Sequence, residues 1–221
     1  SVVTKQQMLD TAVSDINDLF LYEASTEGTG NYTAFTPNRD GGMNDDIQAN
    51  PQTANRIRGL GSANTAIGNF ASNPKIPLDL YNIDAVEISR GPNSNIFGLG
   101  SGSGTVNLVP SSANVRNRSL TLSGRADSTG GVRGSVDLNY PLIHDMLAVR
   151  IAAVTDNKRF EREPSYDDTE RLFGALTYKP FKKTTLRVSA ENYHREAQRP
   201  NYLTPQETIT EWKSYGEPVW D

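Results

Sequence analysis

The stretch VEISRGPNSNIFGLGSGSGTVNLVP, residues 86–110, decides how the first half of the chain folds. In its opening part, Val86 and Ile88 alternate with polar residues, a pattern typical of a half-buried strand. A second apolar run, 106–109, closes the stretch. Between the runs, glycines stand at every second position from Gly98 to Gly104, which strips one face of an extended segment and lets a neighbour approach closely. The stretch therefore predicts two strands joined by turns, the first of them at residues 90–92.

Two other interpretations of these glycines have less support. A phosphate-binding loop needs G-x-G-x-x-G spacing at the start of a helix. Here Gly98 and Gly100 are followed by Ser103 in place of the third glycine, and residues 106–109 favour a strand. A flexible Gly/Ser linker agrees with the composition, but the strand-like runs on both sides favour a hairpin.

The composition excludes several classes of protein. The chain has 221 residues, enough for one large domain or two smaller ones, and its net charge of -4 gives no indication of a nucleic-acid partner. Cysteine is absent, which excludes disulfides, Cys-ligated zinc and thiol catalysis. There is no apolar window of about 18 residues to predict a transmembrane helix. No signal-peptide pattern opens the chain, so we expect a mature segment or a fragment.

The N-terminal part mixes structure types. A short strand is predicted at residues 2–3, followed by a capping box at Thr4 and Gln7. Apolar residues at helical spacing then predict two short core-facing helices. They are Met8, Leu9, Ala12 and Val13, and then Ile16, Leu19 and Phe20. The polar segment 24–52 is expected to be a long loop, and its acidic residues Asp40, Asp45 and Asp46 lack calcium-loop spacing, so no metal site is predicted.

After Asn114 the pattern changes to strict alternation. Five runs have their first apolar members at Leu120, Val132, Val149, Leu172 and Leu186. Each run has about ten residues or slightly fewer, near the length that a tilted strand needs to cross a bilayer. Compact connections such as PLIHDM and KPFKKT mostly alternate with longer polar ones, as in outer-membrane barrels. A soluble antiparallel sandwich would alternate similarly, but charges on the polar face favour a water-filled lumen.

Aromatic residues lie near the predicted short turns. Tyr140, Tyr178 and Phe181 are candidates for the interfacial aromatic girdle of a membrane barrel, with ordinary strand packing as the alternative. Neither His144 nor His194 has a nucleophile partner recognisable in the sequence, and no G-x-S-x-G is present. The neighbouring carboxylates Asp167 and Asp168 are expected to lie in a solvated loop. No enzyme activity and no catalytic residue are predicted.

The motifs at 57–61 (IRGLG) and 86–109 together resemble the plug domain of TonB-dependent outer-membrane receptors. The family pattern is Val-Glu-(Val/Ile)-x-Arg-Gly-Pro-x-Ser-x-x-(Tyr/Phe)-Gly, then a glycine-rich turn and Val-Asn. The positions that match are Val86, Glu87, Ile88, Arg90, Gly91, Pro92, Ser94, Phe97, Gly98, Gly104, Val106 and Asn107. The resemblance covers about residues 1–112. Gly68-Asn69 departs from the Asp-Gly pair of many members, and Ser103 replaces a common glycine.

This resemblance implies a fold and a function. The fold would be an α+β plug domain at 1–112, followed at 113–221 by antiparallel transmembrane β-barrel strands, the start of a barrel of about 22 strands. The remaining strands would lie beyond Asp221, and no segment resembling a TonB box is recognisable. The implied function is active nutrient uptake through the bacterial outer membrane, in contact with its lipid and energised by a TonB-like partner. An iron–siderophore complex is the default ligand, with an oligosaccharide or cobalamin as options, and no bound cofactor is required.

Individual residues receive roles from the same argument. A structural turn motif is expected at Gly59, Gly91, Pro92, Gly98, Gly100, Gly102, Gly104 and Asn107. Arg58, Glu87 and Arg90 are charged residues on strand-like segments that are expected to lie inside the protein, where their charges need partners. The resemblance implies that the plug arginines pair with acidic residues on the barrel wall, and pairing of either arginine with Glu87 is the alternative. The ligand-binding residues are unknown, with the polar loops 24–52 and 62–73 as candidates.

Two competing functions remain open. The first is a non-transporting outer-membrane barrel, either an adhesin or a signal-transducing receptor. The second is a soluble, secreted β-sandwich that binds carbohydrate.

Overall fold

The computed structural model describes residues 1–28, 55–73, 76, 78–91, 103–198 and 209–217. Its elements are β1 (Val2–Thr4), α1 (Lys5–Asp10), α2 (Ile16–Phe20), β2 (Thr26–Gly28), β3 (Asn55–Ile57), β4 (Asn64–Ile67), β5 (Phe70–Ala71), β6 (Ile83–Arg90), β7 (Gly104–Pro110), β8 (Ser119–Ala126), β9 (Val132–Ile143), β10 (Leu147–Arg159), β11 (Tyr166–Phe181), β12 (Thr184–Gln198) and α3 (Ile209–Ser214). In these ranges, no helix is both long enough and apolar enough to cross a membrane.

The two predicted N-terminal helices are present. The capping box at the start of α1 is confirmed, because the Gln7 amide donates to Thr4 Oγ1 and the Thr4 amide donates to Gln7 Oε1. Each helix contributes apolar side chains to the main core, Met8 from α1 and Ile16, Leu19 and Phe20 from α2, whereas Leu9, predicted to face the core, is 46% exposed. Short helices of this kind are stabilised by such packing more than by their own propensity.

Five strands form a sheet in the order β1-β6-β7-β4-β5, called here the first sheet. The two strands predicted from residues 86–110 are confirmed: β6 and β7 pair antiparallel, with Val86 opposite Leu108. Their apolar side chains form one core with α1 and α2. Residues 92–102 between these strands, among them Pro92, Gly98, Gly100 and Gly102, lie outside the described residues, so the turns predicted there stay a prediction.

The segment 62–73 is not the loop that its composition predicted. It forms β4, which pairs parallel with β7, and β5, which pairs antiparallel with β4. The turn between them is at Gly68 and Asn69, with φ of +57° and +71°, values that favour these residue types. With only four residues, β4 is too short for its side-chain pattern to mark a strand in the sequence.

The second half of the chain forms an antiparallel sheet in the order β12-β11-β10-β9-β8, called here the wall. All five predicted strands are confirmed, and each pairs with its neighbours in sequence. The predicted length is wrong for four of them, which contain 12 to 16 residues. These strands are longer because the pairing continues past the apolar runs into polar segments such as 155–159 and 192–198.

The wall has one polar and one apolar face. In β10, Ala148, Ala152 and Val154 are buried towards the first sheet, whereas Ile151 on the other face is 49% exposed. The outward face is a band of exposed apolar side chains that includes Leu120, Leu122, Val132, Leu138, Tyr140, Ile151, Leu172, Leu176, Tyr178, Leu186 and Val188. An apolar surface of this extent is unusual for a water-exposed face and is typical of a face that contacts lipid or another protein.

Candidate functional site

The first sheet meets the wall through residues 78–84, called here the seat, which include the first two residues of β6. Arg133 of β9 donates to both carboxylate oxygens of Asp79, at 2.7 and 2.9 Å, and also to Asp156 of β10 at 2.8 Å. The three side chains are at most 13% exposed. Burial alone would raise the pKa of Asp79, but the hydrogen bonds and the charge of Arg133 hold that pKa below its ordinary value. The seat therefore carries a buried, ionised carboxylate.

A second ionic cluster lies at the other end of the seat. Arg150 of β10 donates to Asp84 at 3.1 Å and, through two hydrogen bonds of 2.7 and 2.8 Å, to Asp137 of β9. Asp137 also forms an ion pair with Lys5 of α1. Arg150 and Asp137 are only 13% and 12% exposed. Bidentate Arg–carboxylate geometry of this kind fixes orientation as well as charge.

Tyr81 provides a third contact, between the two clusters. Its hydroxyl donates to Glu191 of β12 at 2.9 Å, and Arg171 of β11 donates to the same carboxylate at 3.3 Å. The Arg171 guanidinium lies 4.2 Å from the ring centre of Tyr193. Burial, together with the Glu191 carboxylate, raises the pKa of Tyr81, so that the phenol stays a neutral donor. One seven-residue segment thus contacts β9, β10 and β12.

The polarity of these contacts differs from what the resemblance implied. We expected arginines on the first sheet and carboxylates on the wall, but here the wall provides Arg133 and Arg150 while the seat provides Asp79 and Asp84. Among the described pairs, Lys5 with Asp137 has the expected polarity. The sequence did indicate that the wall carries inward-facing cations, because the alternation of its strands places both Arg133 and Arg150 on the polar face.

The three charges singled out from the sequence have separate surroundings. Arg90 forms an ion pair with Glu23 at 2.8 Å, so its partner is neither Glu87 nor a wall residue. Glu87 instead accepts a hydrogen bond from the Asn107 amide at 2.9 Å. Arg58 is exposed among the described residues, where the chain turns out of β3 with φ of +57°, and its place inside a closed barrel stays a prediction.

Two members of the expected turn motif have a visible packing role. At Gly104, with φ of +146°, an added Cβ would lie 2.5 Å from the Ser89 carbonyl oxygen. Asn107 is 2% exposed and holds the turn between β4 and β5, accepting from the Asn69 amide at 2.8 Å and donating to its side-chain oxygen at 2.9 Å.

Two other members of the motif, Gly59 and Gly91, have positive φ, at +66° and +76°. At Gly91 an added Cβ would lie 2.9 Å from Arg58 Nη1. Both positions therefore favour glycine over any residue with a side chain.

The other polar candidates are structural. His144 lies in an exposed turn beside Asp145. The pair at 167–168 is not solvated loop: it belongs to β11, where Asp167 is 3% exposed and pairs with Arg195. Within the described ranges, no cluster of His, Asp and Glu is arranged to hold a metal ion. Asp40, Asp45 and Asp46 lie outside those ranges, as does most of the candidate loop 24–52.

Cavities flank the seat on both sides. The first cavity, of about 200 Å³, lies between α1 and the inner face of β8 and β9. The second cavity, of about 180 Å³, lies between the ends of β4 and β7 and the inner face of β11 and β12. The seat thus separates two spaces between the first sheet and the wall.

Curated receptor sequences resemble part of this chain. No protein-family model matches the chain. The metal-pseudopaline receptor CntO of Pseudomonas aeruginosa, from strains PAO1 and UCBPP-PA14, is 37% identical over 117 residues, or 51% of this chain. The chain spans 16% of the length of these relatives.

Two solved receptor structures have the same fold. The closed form of the ferric-catecholate import receptor Fiu from E. coli K12 matches 89% of this chain with a TM-score of 0.72 and 17% identity, over 26% of its own length. The ferripyoverdine receptor of the outer membrane of Pseudomonas aeruginosa matches 86% with a TM-score of 0.68 and 21% identity, over 24% of its length. The chain therefore has the fold of the plug domain and first barrel strands of TonB-dependent outer-membrane receptors.

Proposed function

We propose that the chain is part of a bacterial outer-membrane receptor that imports a scarce nutrient, with a plug domain at residues 1–112 and barrel strands at 113–221. The observation that carries this proposal is the docking of the seat onto the polar face of the wall, opposite an outward apolar band. A barrel whose lumen is occupied by a separate sheet needs such polar contacts inside and apolar contacts with lipid outside.

The proposed ligand is a metal–siderophore type of chelate. CntO is named as a receptor for metal-pseudopaline, Fiu for ferric catecholate and the P. aeruginosa structure for ferripyoverdine. Each of these names gives a ligand that carries a metal, and none is the name of an enzyme. Oligosaccharide and cobalamin remain the alternatives. A TonB-like protein is the proposed energy-coupling partner, and the loop 24–52 is the proposed ligand contact.

The soluble β-sandwich is the weaker alternative, because the fold match covers both the first sheet and the wall. A non-transporting barrel would share this fold. Only transport itself separates it from an importer.

The test uses the full-length receptor that carries this segment, expressed in a strain lacking it. Cells are given metal-pseudopaline, ferric catecholate and ferripyoverdine loaded with radioactive metal, and in separate samples labelled oligosaccharide or cobalamin, with and without a proton-gradient uncoupler. We expect the receptor in the outer-membrane fraction and uptake of one chelate that the uncoupler abolishes. Binding without energy-dependent uptake of any chelate, oligosaccharide or cobalamin would favour the non-transporting barrel, and recovery without detergent in the soluble fraction would contradict both.

A further inference from the structure

Two arginine–tyrosine stacks lie on the outward face of the wall, one near each end of its strands. Near the end with the short turns, the Arg118 guanidinium lies 4.5 Å from the ring centre of Tyr140. Near the opposite end, the Arg159 guanidinium lies 5.9 Å from the ring centre of Tyr166. Such stacking attracts a cation to an aromatic face, but it provides no acceptor for the N–H groups at the edge of the guanidinium. The two stacks differ in what else each guanidinium contacts.

Arg159 has a carboxylate of its own, whereas Arg118 has none nearby. Arg159 forms an ion pair with Asp168 on the neighbouring strand β11. In the part of the chain that the structure describes, no carboxylate pairs with Arg118, because Asp145 of the adjoining turn is paired with Arg116 at 2.6 Å. Arg118 therefore presents a positive charge whose N–H groups can bind a partner from outside the described chain.

The short-turn end of the wall is basic as a whole. Backbone hydrogen bonds join the chain before β8 to the β9–β10 turn, and that turn to the end of β11. These segments, 115–119, 141–147 and 179–183, contain one carboxylate and five basic residues: Arg116, Arg118, Lys179, Lys182 and Lys183. By contrast, the segment 155–170 at the opposite end contains six acidic and three basic residues. Of these two ends, the short-turn end is the one that attracts anions.

The Arg118–Tyr140 stack lies at the boundary of the outward apolar band. Leu120 and Leu138 face each other across β8 and β9, two residues further along the strands, and are 61% and 40% exposed. At such a boundary, a long cationic side chain can lay its stem on the apolar surface and keep its charge among lipid headgroups, where tyrosine is also favoured. A charge this close to hydrocarbon is costly unless it meets a counter-charge.

We propose that Arg118 and Tyr140 bind the phosphate headgroup of an anionic phospholipid in the membrane leaflet at the short-turn end of the wall. The planar guanidinium can donate two parallel hydrogen bonds to phosphate oxygens while the tyrosine ring holds its orientation. Lys182 and Lys183 add to the attraction of anionic lipid to this end. The site involves no transported ligand, but it rests on the part of the proposed function that places the wall in a membrane.

Lipid binding to the purified receptor tests this site. The full-length receptor that carries this segment is titrated in non-ionic detergent with phosphatidylglycerol or phosphatidylcholine, and bound lipid is counted by native mass spectrometry. Wild type should bind the anionic lipid more tightly than the zwitterionic one. Arg118→Gln should weaken the tightest phosphatidylglycerol site about fivefold, the loss expected for one cation at a membrane surface. Arg118→Lys keeps the charge without the planar fork and should weaken that site less.

The matched control is Arg159→Gln, which removes the other stacked arginine and should leave phosphatidylglycerol affinity at the wild-type value. Unchanged affinity in Arg118→Gln would overturn the proposal, as would an equal loss in both variants. Displacement of the lipid by an equal concentration of inorganic phosphate would also overturn it, because the site would then be one for a free anion.

A second variant serves if Arg118→Gln does not fold. Tyr140→Leu removes the stack, leaves the band apolar and should weaken phosphatidylglycerol binding roughly two- to fivefold; wild-type affinity in this variant would count against the proposal. Recovery of the full-length receptor in the soluble fraction without detergent would instead contradict the proposed function, and with it the lipid-facing wall on which this site depends.

Discussion

Replacing Arg133 with methionine removes the cation between Asp79 of the seat and Asp156 of β10. Methionine fills part of the space, but two carboxylates at most 10% exposed lose their partner. Breaking a buried ion pair from one side costs about 3–5 kcal/mol. Since each 1.4 kcal/mol is a factor of ten, about 3 kcal/mol should raise the equilibrium for local release of the seat roughly 100-fold.

Amide hydrogen exchange of the purified full-length receptor measures this release directly. Exchange at residues 78–88 should accelerate by about two orders of magnitude in Arg133→Met, if opening and closing stay fast. The matched control is Arg159→Met, since the Arg159–Asp168 pair is 37% exposed on both sides, and it should leave exchange of the seat unchanged. Unchanged exchange in Arg133→Met would refute the view that this buried pair holds the first sheet on the wall.

Two further measurements separate charge from shape. Adding Asp79→Asn and Asp156→Asn to the methionine variant removes the stranded charges, so part of the protection should return, whereas a pure packing defect would persist. The pKa of Asp79 is lowered in the folded protein. Its stabilisation is therefore complete above the unfolded pKa of about 3.9 and is lost as pH falls through the lower folded value. The difference between variant and wild type should be full at pH 7 and should shrink as pH falls, first because burial raises the pKa of the stranded carboxylates in the variant, and then because Asp79 of the wild type is protonated below about pH 4.

Three other predictions concern the first sheet and its helices. Gly104→Ala should destabilise the β6–β7 pairing by about 1–3 kcal/mol, because residue 104 has a positive φ and the added Cβ would lie against the Ser89 carbonyl oxygen. Limited proteolysis measures the loss. The control Gly61→Ala, with no atom within 4 Å of the added Cβ, should not change it. Asn107→Ala removes the side-chain oxygen that accepts from the Asn69 amide and should speed exchange of that amide by loss of about 1–3 kcal/mol; wild-type exchange would contradict this. Burial raises the pKa of Asp15, so its charge is unfavourable above the unfolded pKa. Asp15→Asn, which can still cap α2, should be at least as stable as wild type at pH 7 and equal to it below about pH 4. A loss of stability at pH 7 would contradict the view that the Asp15 charge is unfavourable.

Elements with strong local signals could be predicted from the sequence. The capping box at Thr4 and the five alternating runs of the wall correspond to observed elements. The segment 62–73 was missed because β4 has four residues and is stabilised as a strand by its neighbour β7 rather than by its own composition. The lengths of the wall strands were underestimated for a related reason. Apolar alternation marks only the part of a strand that faces an apolar environment, while backbone pairing continues beyond it.

Local chemistry was therefore sufficient for the type of each strong element and for the face on which each wall residue lies, because side chains alternate strictly along a strand. The partners of the charges were decided only by packing in three dimensions. Arg133 and Asp79 are 54 positions apart, and nothing in either neighbourhood indicates that they meet. Arg90 likewise pairs with Glu23 across 67 positions. Which cation pairs with a given carboxylate depends on how one sheet packs against another, and that packing depends on the whole core.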